Sequence, residues 1–152
     1  MYQKILVTLD ATPADRAIVE HVKELARLMH SEVALLHVAD GWAARMFGPD
    51  AVSPEVAEDL AHLEKVRTEF QATGIQATAA LAFGEPGDEI VKWVHKNGCD
   101  LIGMASHGHK LVGDIFLGST IDKVRHNTAV PILVVRAGAA PAAGGAGTAG
   151  QG

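Results

Sequence analysis

Cysteine, aromatic residues and long apolar runs are all scarce in this chain. One cysteine, Cys99, in 152 residues excludes an internal disulfide and suits a reducing compartment. No stretch approaches the ~18 consecutive apolar residues that a membrane-crossing helix needs, so no membrane partner is expected. The opening MYQKILVTLD runs straight into strand-like sequence, with no basic region ahead of a long apolar run. No signal peptide is expected, and a cytoplasmic location is the default. Basic residues are outnumbered, 13 Lys and Arg against 18 Asp and Glu, for a formal net charge of -5. That argues against nucleic acid as a partner, because phosphate contacts call for clustered Lys and Arg. A Gly-x4-Gly-Lys-Ser/Thr loop and a clear nucleophile–base pair are also lacking, so rapid nucleotide turnover is not expected.

What is present suffices for one ordinary domain: 48% of residues are hydrophobic. KILVTLD (4–10) and EVALLHV (32–38) are short apolar runs without strict alternation, as in strands buried on both faces. Between them Thr12 reads as a helix cap, Pro13 as the first helical position, and Ile18, Val22, Leu25 and Met29 as one helical face. A second helix carries Val56, Leu60, Leu63, Val66 and Phe70 on one face and stops at Thr73-Gly74, with Gly74 supplying a left-handed residue. IQATAALAF (75–83) reads as a strand nearer an edge, 86–97 as a helix stopped by Gly98, and CDLIGMA (99–105) as a strand. Ser119 reads as the cap of a helix over 119–126, and VPILVVR (130–136) as the last strand. The tail from 138 to 152 is Ala/Gly-rich and aperiodic, and is expected to be disordered beyond a domain of 1–137.

Strict β-α alternation predicts an α/β fold: a single doubly wound domain with a five-stranded parallel sheet and helices on both faces. Such sheets take ligands beyond the C-terminal ends of their strands, where strand order reverses. Asp10 follows the first strand and MASHGHKLVGDIFLGST (104–120) follows the fourth, so both fall on that rim. Gly118, Ser119 and Thr120, opening a helix, would offer N–H groups and hydroxyls to a phosphate, with a second glycine turn at Gly108 covering it. Asp10 suits a ribose hydroxyl or a water-held Mg²⁺; the competing reading is a turn carboxylate. His107 and His109 could ligate a metal, but no third ligand lies near in sequence, so no metal site is assigned. His37 reads as a satisfied, partly buried histidine and Cys99 as a small buried thiol. Trp42, Met46 and Phe47 fall in the loop after the second strand, where they either close over a base or simply pack.

These motifs resemble the universal stress protein family. The ATP-binding branch of that family carries Gly-x2-Gly-x9-Gly-Ser/Thr, and here the pattern runs Ala105-x2-Gly108-x9-Gly118-Ser119. VTLD ending the first strand, LLHVAD ending the second, the GEP turn before the third helix and the closing VPILVVR match as well, so the likeness spans Lys4 to Arg136. The resemblance implies a sheet order of 3-2-1-4-5 and an adenine nucleotide, ATP or AMP, with Mg²⁺ as a companion. It implies that Thr8, Leu9 and Asp10 border the adenosine and that Val38 offers backbone atoms to the adenine edge. Met104, Ala105, Ser106, His107, Gly108, His109, Lys110 and Leu111 would wrap ribose and phosphates, and Gly118, Ser119 and Thr120 would hold the phosphates. It also implies a homodimer through antiparallel pairing of Val130 to Arg136. Ala105 departs from the glycine pattern. It closes an apolar strand, and extended backbone accepts alanine at little cost.

Three rival functions sit beside this one. An adenylating enzyme on the same fold needs a substrate domain that a chain of this length lacks. A phospho-receiver needs an Asp ending the third strand, which instead ends LAFGEP. A scaffold that binds no nucleotide and works through protein partners is the remaining alternative.

Overall fold

The apolar runs become strands because β-branched and leucine side chains at successive positions find cover on both faces of one sheet. The computed structural model of the protein describes residues 1–40, 46, 54–106 and 114–138, apart from the side chains of 114–117. The elements in chain order are β1 (Lys4–Thr8), α1 (Asp15–Met29), β2 (Glu32–Ala39), α2 (Pro54–Ala72), β3 (Ala77–Phe83), α3 (Pro86–Asn97), β4 (Leu101–Ser106), α4 (Asp114–Asn127) and β5 (Ile132–Arg136). The sheet has five strands in the order β3-β2-β1-β4-β5, and all four pairings are parallel. The fold class is the one the alternation of elements predicts, and the strand order is the one the family resemblance implied.

Each face of the sheet has its own core. On one, Ile18, Val19 and Val22 of α1 and Leu63, Val66 and Phe70 of α2 bury against Ile5, Val7, Val33 and Leu35. On the other, Ile90 and Val94 of α3 and Val124 of α4 bury against Leu6, Leu36, Ile102 and Met104. Full burial of each such aliphatic side chain contributes roughly 1.5–3 kcal/mol. Gly103 in β4 lets α1 approach: a Cβ there would stand 3.2 Å from Ile18 and 3.3 Å from Val22. Gly98 ends α3 as expected, left-handed at φ 64, and its N–H returns to the Val94 carbonyl. Gly74 is left-handed too, at φ 82.

Four local expectations are corrected. Thr12 does not cap α1. The helix starts at Asp15 with no side-chain cap at Ala14, and the Thr12 carbonyl accepts the Asp15 N–H in a preceding turn. Leu60 is not part of the buried face of α2; it is 50% exposed, and the inward positions one turn ahead of the core residues go to Asp59 and His62 instead. The first strand ends at Thr8 rather than at Asp10, because the chain turns out of the sheet toward Ala11, which is left-handed at φ 59. The last helix begins at Asp114, five residues before the expected cap at Ser119. Nothing in DIFL breaks a helix, and a single interior glycine costs only ~1 kcal/mol, so Gly118 is carried inside it. Ala137 lies in a turn after β5, and its N–H donates to the Ser106 carbonyl at 2.7 Å. The expected disordered tail lies outside the described residues beyond Gly138.

Candidate functional site

β1 lies between β2 and β4, so the chain leaves it in a cleft where its two neighbours connect to opposite sides of the sheet. The rim of this cleft is built from Thr8 at the end of β1, Leu9 and Asp10 just after it, Val38 near the end of β2, and Ser106 at the end of β4. Leu9, Met104 and Ala105 are 2%, 1% and 3% exposed. Their side chains belong to the core, so only main-chain atoms of these three are available to a ligand. Ala105 pairs with Val135 in regular strand geometry. The methyl at the departed glycine position therefore sits on extended backbone. Thr8 points its hydroxyl at the Gly103 carbonyl, 3.5 Å away.

The turn after β1 is held by one buried carboxylate. Asp15 accepts the Asp10 N–H on Oδ1 and the Ala11 N–H on Oδ2, each at 2.9 Å. Its side chain is 3% exposed, and His62 Nε2 from α2 donates to Oδ2 at 3.0 Å. A second histidine faces the same turn: His37 Nδ1 is 2.7 Å from the Leu9 carbonyl, and its Nε2 is 3.2 Å from Asp59 Oδ2. Thus α2 sends a carboxylate to a β2 histidine and a histidine to an α1 carboxylate. Sequence reading left His37 as a satisfied histidine and missed Asp15, Asp59 and His62. The available signal was the pair of polar residues, three apart, that interrupts the apolar face of α2 before Leu63.

Across the cleft, Gly118, Ser119 and Thr120 occupy the second turn of α4, so their N–H groups serve the helical ladder rather than a free helix end. Among the described residues, a Cβ at Gly118 would meet nothing within 4 Å. Beneath α4, Lys123 lies 2.8 Å from both Glu85 Oε2 and Asp88 Oδ1, tying it to the start of α3. A Cβ at Gly87 would stand 2.8 Å from Lys123 Cδ and 3.1 Å from its Cβ, so the Lys123 chain packs closely over that glycine. His107, Gly108, His109, Lys110 and Leu111 lie outside the described residues. Cys99 is buried, and burial pushes its thiol up from its ordinary value, which suits a core position. Among the described residues no group of three or more His, Cys, Asp or Glu could hold a metal ion, and no helix is long and apolar enough to cross a membrane.

A five-stranded parallel sheet that reverses its strand order between β1 and β4 is the architecture of a doubly wound α/β domain. The chain belongs to the universal stress protein family, whose model matches residues 1–136. It is similar to universal stress protein MJ0577 of Methanocaldococcus jannaschii, with 30% identity over 90% of this chain and 96% of the relative. The solved structure of MJ0577 superposes with a TM-score of 0.71 over 92% of this chain and 99% of that one. A universal stress protein in complex with cAMP shares the fold at 19% identity and a TM-score of 0.67, covering 89% of this chain and 97% of that one. The universal stress protein from Archaeoglobus fulgidus in complex with dAMP does so at 20% identity and a TM-score of 0.66, covering 88% and 98%.

Proposed function

We propose that this protein binds an adenine nucleotide, ATP or AMP, in the cleft between β1 and β4 and acts in stress response or regulation, with at most slow hydrolysis. The observation that carries this reading is Gly118. In a helix interior glycine costs ~1 kcal/mol relative to alanine, and among the described residues nothing packs against its missing side chain. A ligand lying against the helix gives it one. Gly87 and Gly103, by contrast, are explained by Lys123 and by α1. Family membership supports the reading, as do the related folds that hold cAMP and dAMP.

In this arrangement main-chain atoms of Leu9 and Val38 border the base, Asp10 meets the ribose, and Ser119 and Thr120 offer hydroxyls to the phosphates. The family resemblance assigns His107 to Leu111 to the ribose and phosphates as well. A Mg²⁺ ion would enter with the phosphates. Calorimetric titration with ATP and AMP tests the proposal. Wild type is expected to bind, and Gly118→Val is expected to weaken ATP by at least ~2 kcal/mol, about thirtyfold. Absence of binding at millimolar nucleotide would overturn it and favour a scaffold acting through protein partners.

We further propose that the chain is a homodimer paired through the Val130 to Arg136 segment. β5 is an edge strand of the sheet, and its Val134 is 44% exposed. An apolar edge of that kind favours pairing with a second strand.

A further inference from the structure

The rungs joining β1 to β2 follow a fixed parity. The Glu32 N–H donates to the Gln3 carbonyl and the Leu9 N–H to the Leu36 carbonyl, each at 2.8 Å. Even-numbered residues of β2 therefore turn their main-chain polar groups toward β1. Odd-numbered ones face β3, as the Val33 N–H does in donating to Gln76. The next rung would run from the Val38 N–H to the Leu9 carbonyl. His37 has taken that carbonyl instead, with Nδ1 at 2.7 Å. A carbonyl only accepts, so Nδ1 carries the proton and donates. Asp59 meets the other ring nitrogen at 3.2 Å and fixes the plane of a ring that is 14% exposed. The Leu9 N–H keeps its rung to Leu36, while the Leu9 carbonyl accepts from His37 and not from the Val38 N–H.

We propose that His37 is a positioning residue: its ring takes the last rung of the β1–β2 ladder and so leaves the Val38 main-chain N–H to read the base of a bound nucleotide. This rests on the adenine-nucleotide reading above. The chemistry selects adenine. Its N1 is a bare acceptor facing an N–H donor, whereas guanine N1 carries a hydrogen and would set donor against donor. Discrimination follows because a buried donor without an acceptor is costly. Asp59 acts one step further back, by holding the ring to its task.

The test uses amide hydrogen exchange at Val38 in the full chain, together with ATP and GTP titrations. In nucleotide-free wild type the Val38 amide is expected to exchange quickly, and to become protected when ATP is added. His37→Leu removes the competing donor. The Val38 N–H should then take the Leu9 carbonyl, its exchange should slow at least about tenfold without nucleotide, and ATP affinity should fall about fivefold to tenfold. Preference for ATP over GTP should shrink with it. His37→Asn places an amide N–H where Nδ1 stands and should restore both properties, which a merely space-filling role would not predict. If His37→Leu fails to fold, Asp59→Ala takes its place. It should slow Val38 exchange in the same direction. A protected Val38 amide in nucleotide-free wild type, or exchange indifferent to both substitutions, overturns the role of His37 while leaving the nucleotide reading intact. Failure of wild type to bind ATP overturns the nucleotide reading and the base-reading role together, whatever the exchange pattern.

Discussion

Asp15 Oδ1 accepts the main-chain N–H of Asp10 across 2.9 Å, so the first residue of α1 holds the residue at the mouth of the cleft. The contact is made by a carboxylate almost wholly removed from water, with the Ala11 N–H and His62 as its other partners. It also holds Ala11 in the left-handed region, which a residue bearing Cβ enters at a cost of ~1–2 kcal/mol. The turn that presents Asp10 is thus strained locally and secured by one side chain.

Asp15→Asn keeps the shape but turns an acceptor oxygen into a donor, so one of the two N–H groups faces another donor. Charge-assisted bonds of this kind contribute about 1.5–3 kcal/mol each. Urea unfolding should show a loss of about 2 kcal/mol. ATP affinity should fall as well, because Asp10 loses its fixed position. An unchanged unfolding midpoint would mean that the turn holds itself.

Gly118→Ala separates stability from binding. The methyl meets none of the described residues within 4 Å, and alanine is the better helix former by ~1 kcal/mol. Thermal unfolding should show a more stable protein while calorimetry shows weaker ATP binding. A gain in stability with unchanged affinity would remove the argument that the glycine serves a ligand.

α1 ends on His30 at φ 55, whose N–H returns to the Ala26 carbonyl. α3 makes the same closure with Gly98. His30→Gly relieves strain of ~1–2 kcal/mol but adds ~0.5–1 kcal/mol of chain entropy to be lost on folding. A net gain of about 0.5 kcal/mol in denaturant unfolding is expected. A loss instead would show that the imidazole makes contacts that outweigh its backbone strain.

Glu69 on α2 joins Arg16 at 2.6 Å and Lys23 at 3.2 Å on α1. The Arg16 hydrogen bond, with Lys23 adding to it, draws its carboxyl from an ordinary 4.5 down to about 2. A lowered carboxyl stabilises the fold fully above its unfolded value and loses that effect as pH falls through the folded one. The decline therefore runs from about pH 4.5 to about 2. Arg16 is half exposed, so the network contributes only about 1 kcal/mol. Glu69→Gln should lower stability by that amount at pH 7 and flatten the acid decline across this window.

Val134→Asp places a charge on the edge of β5. If β5 strands pair across a dimer axis, two like charges then meet at the interface, and light scattering at micromolar concentration should show a monomer where wild type is a dimer. A monomeric wild type would end the proposal, with β5 left as an edge strand.

The alternation of strands and helices, and with it the parallel sheet, was legible in the chain because burial on two faces leaves unbroken apolar runs such as ILV and ALL. Gly74 and Gly98 were legible for a related reason: a left-handed closing residue has few chemical options. Nearest-neighbour pattern failed at α4, where a glycine and a serine read as a helix start although nothing before them breaks a helix. It failed at Asp15 and at His37 for a different reason. Asp15 meets Asp10 and Ala11 five and four residues before it, but its His62 lies 47 residues away. His37 depends on Leu9, 28 residues before it, and on Asp59, 22 residues after it. Local sequence determines which segments are strands and helices, since propensity and periodicity act over a few residues. Which polar side chain meets which is decided only when the sheet brings β1, β2 and α2 together, because a hydrogen bond is selected by position to within a few tenths of an ångström and no spacing along the chain encodes that.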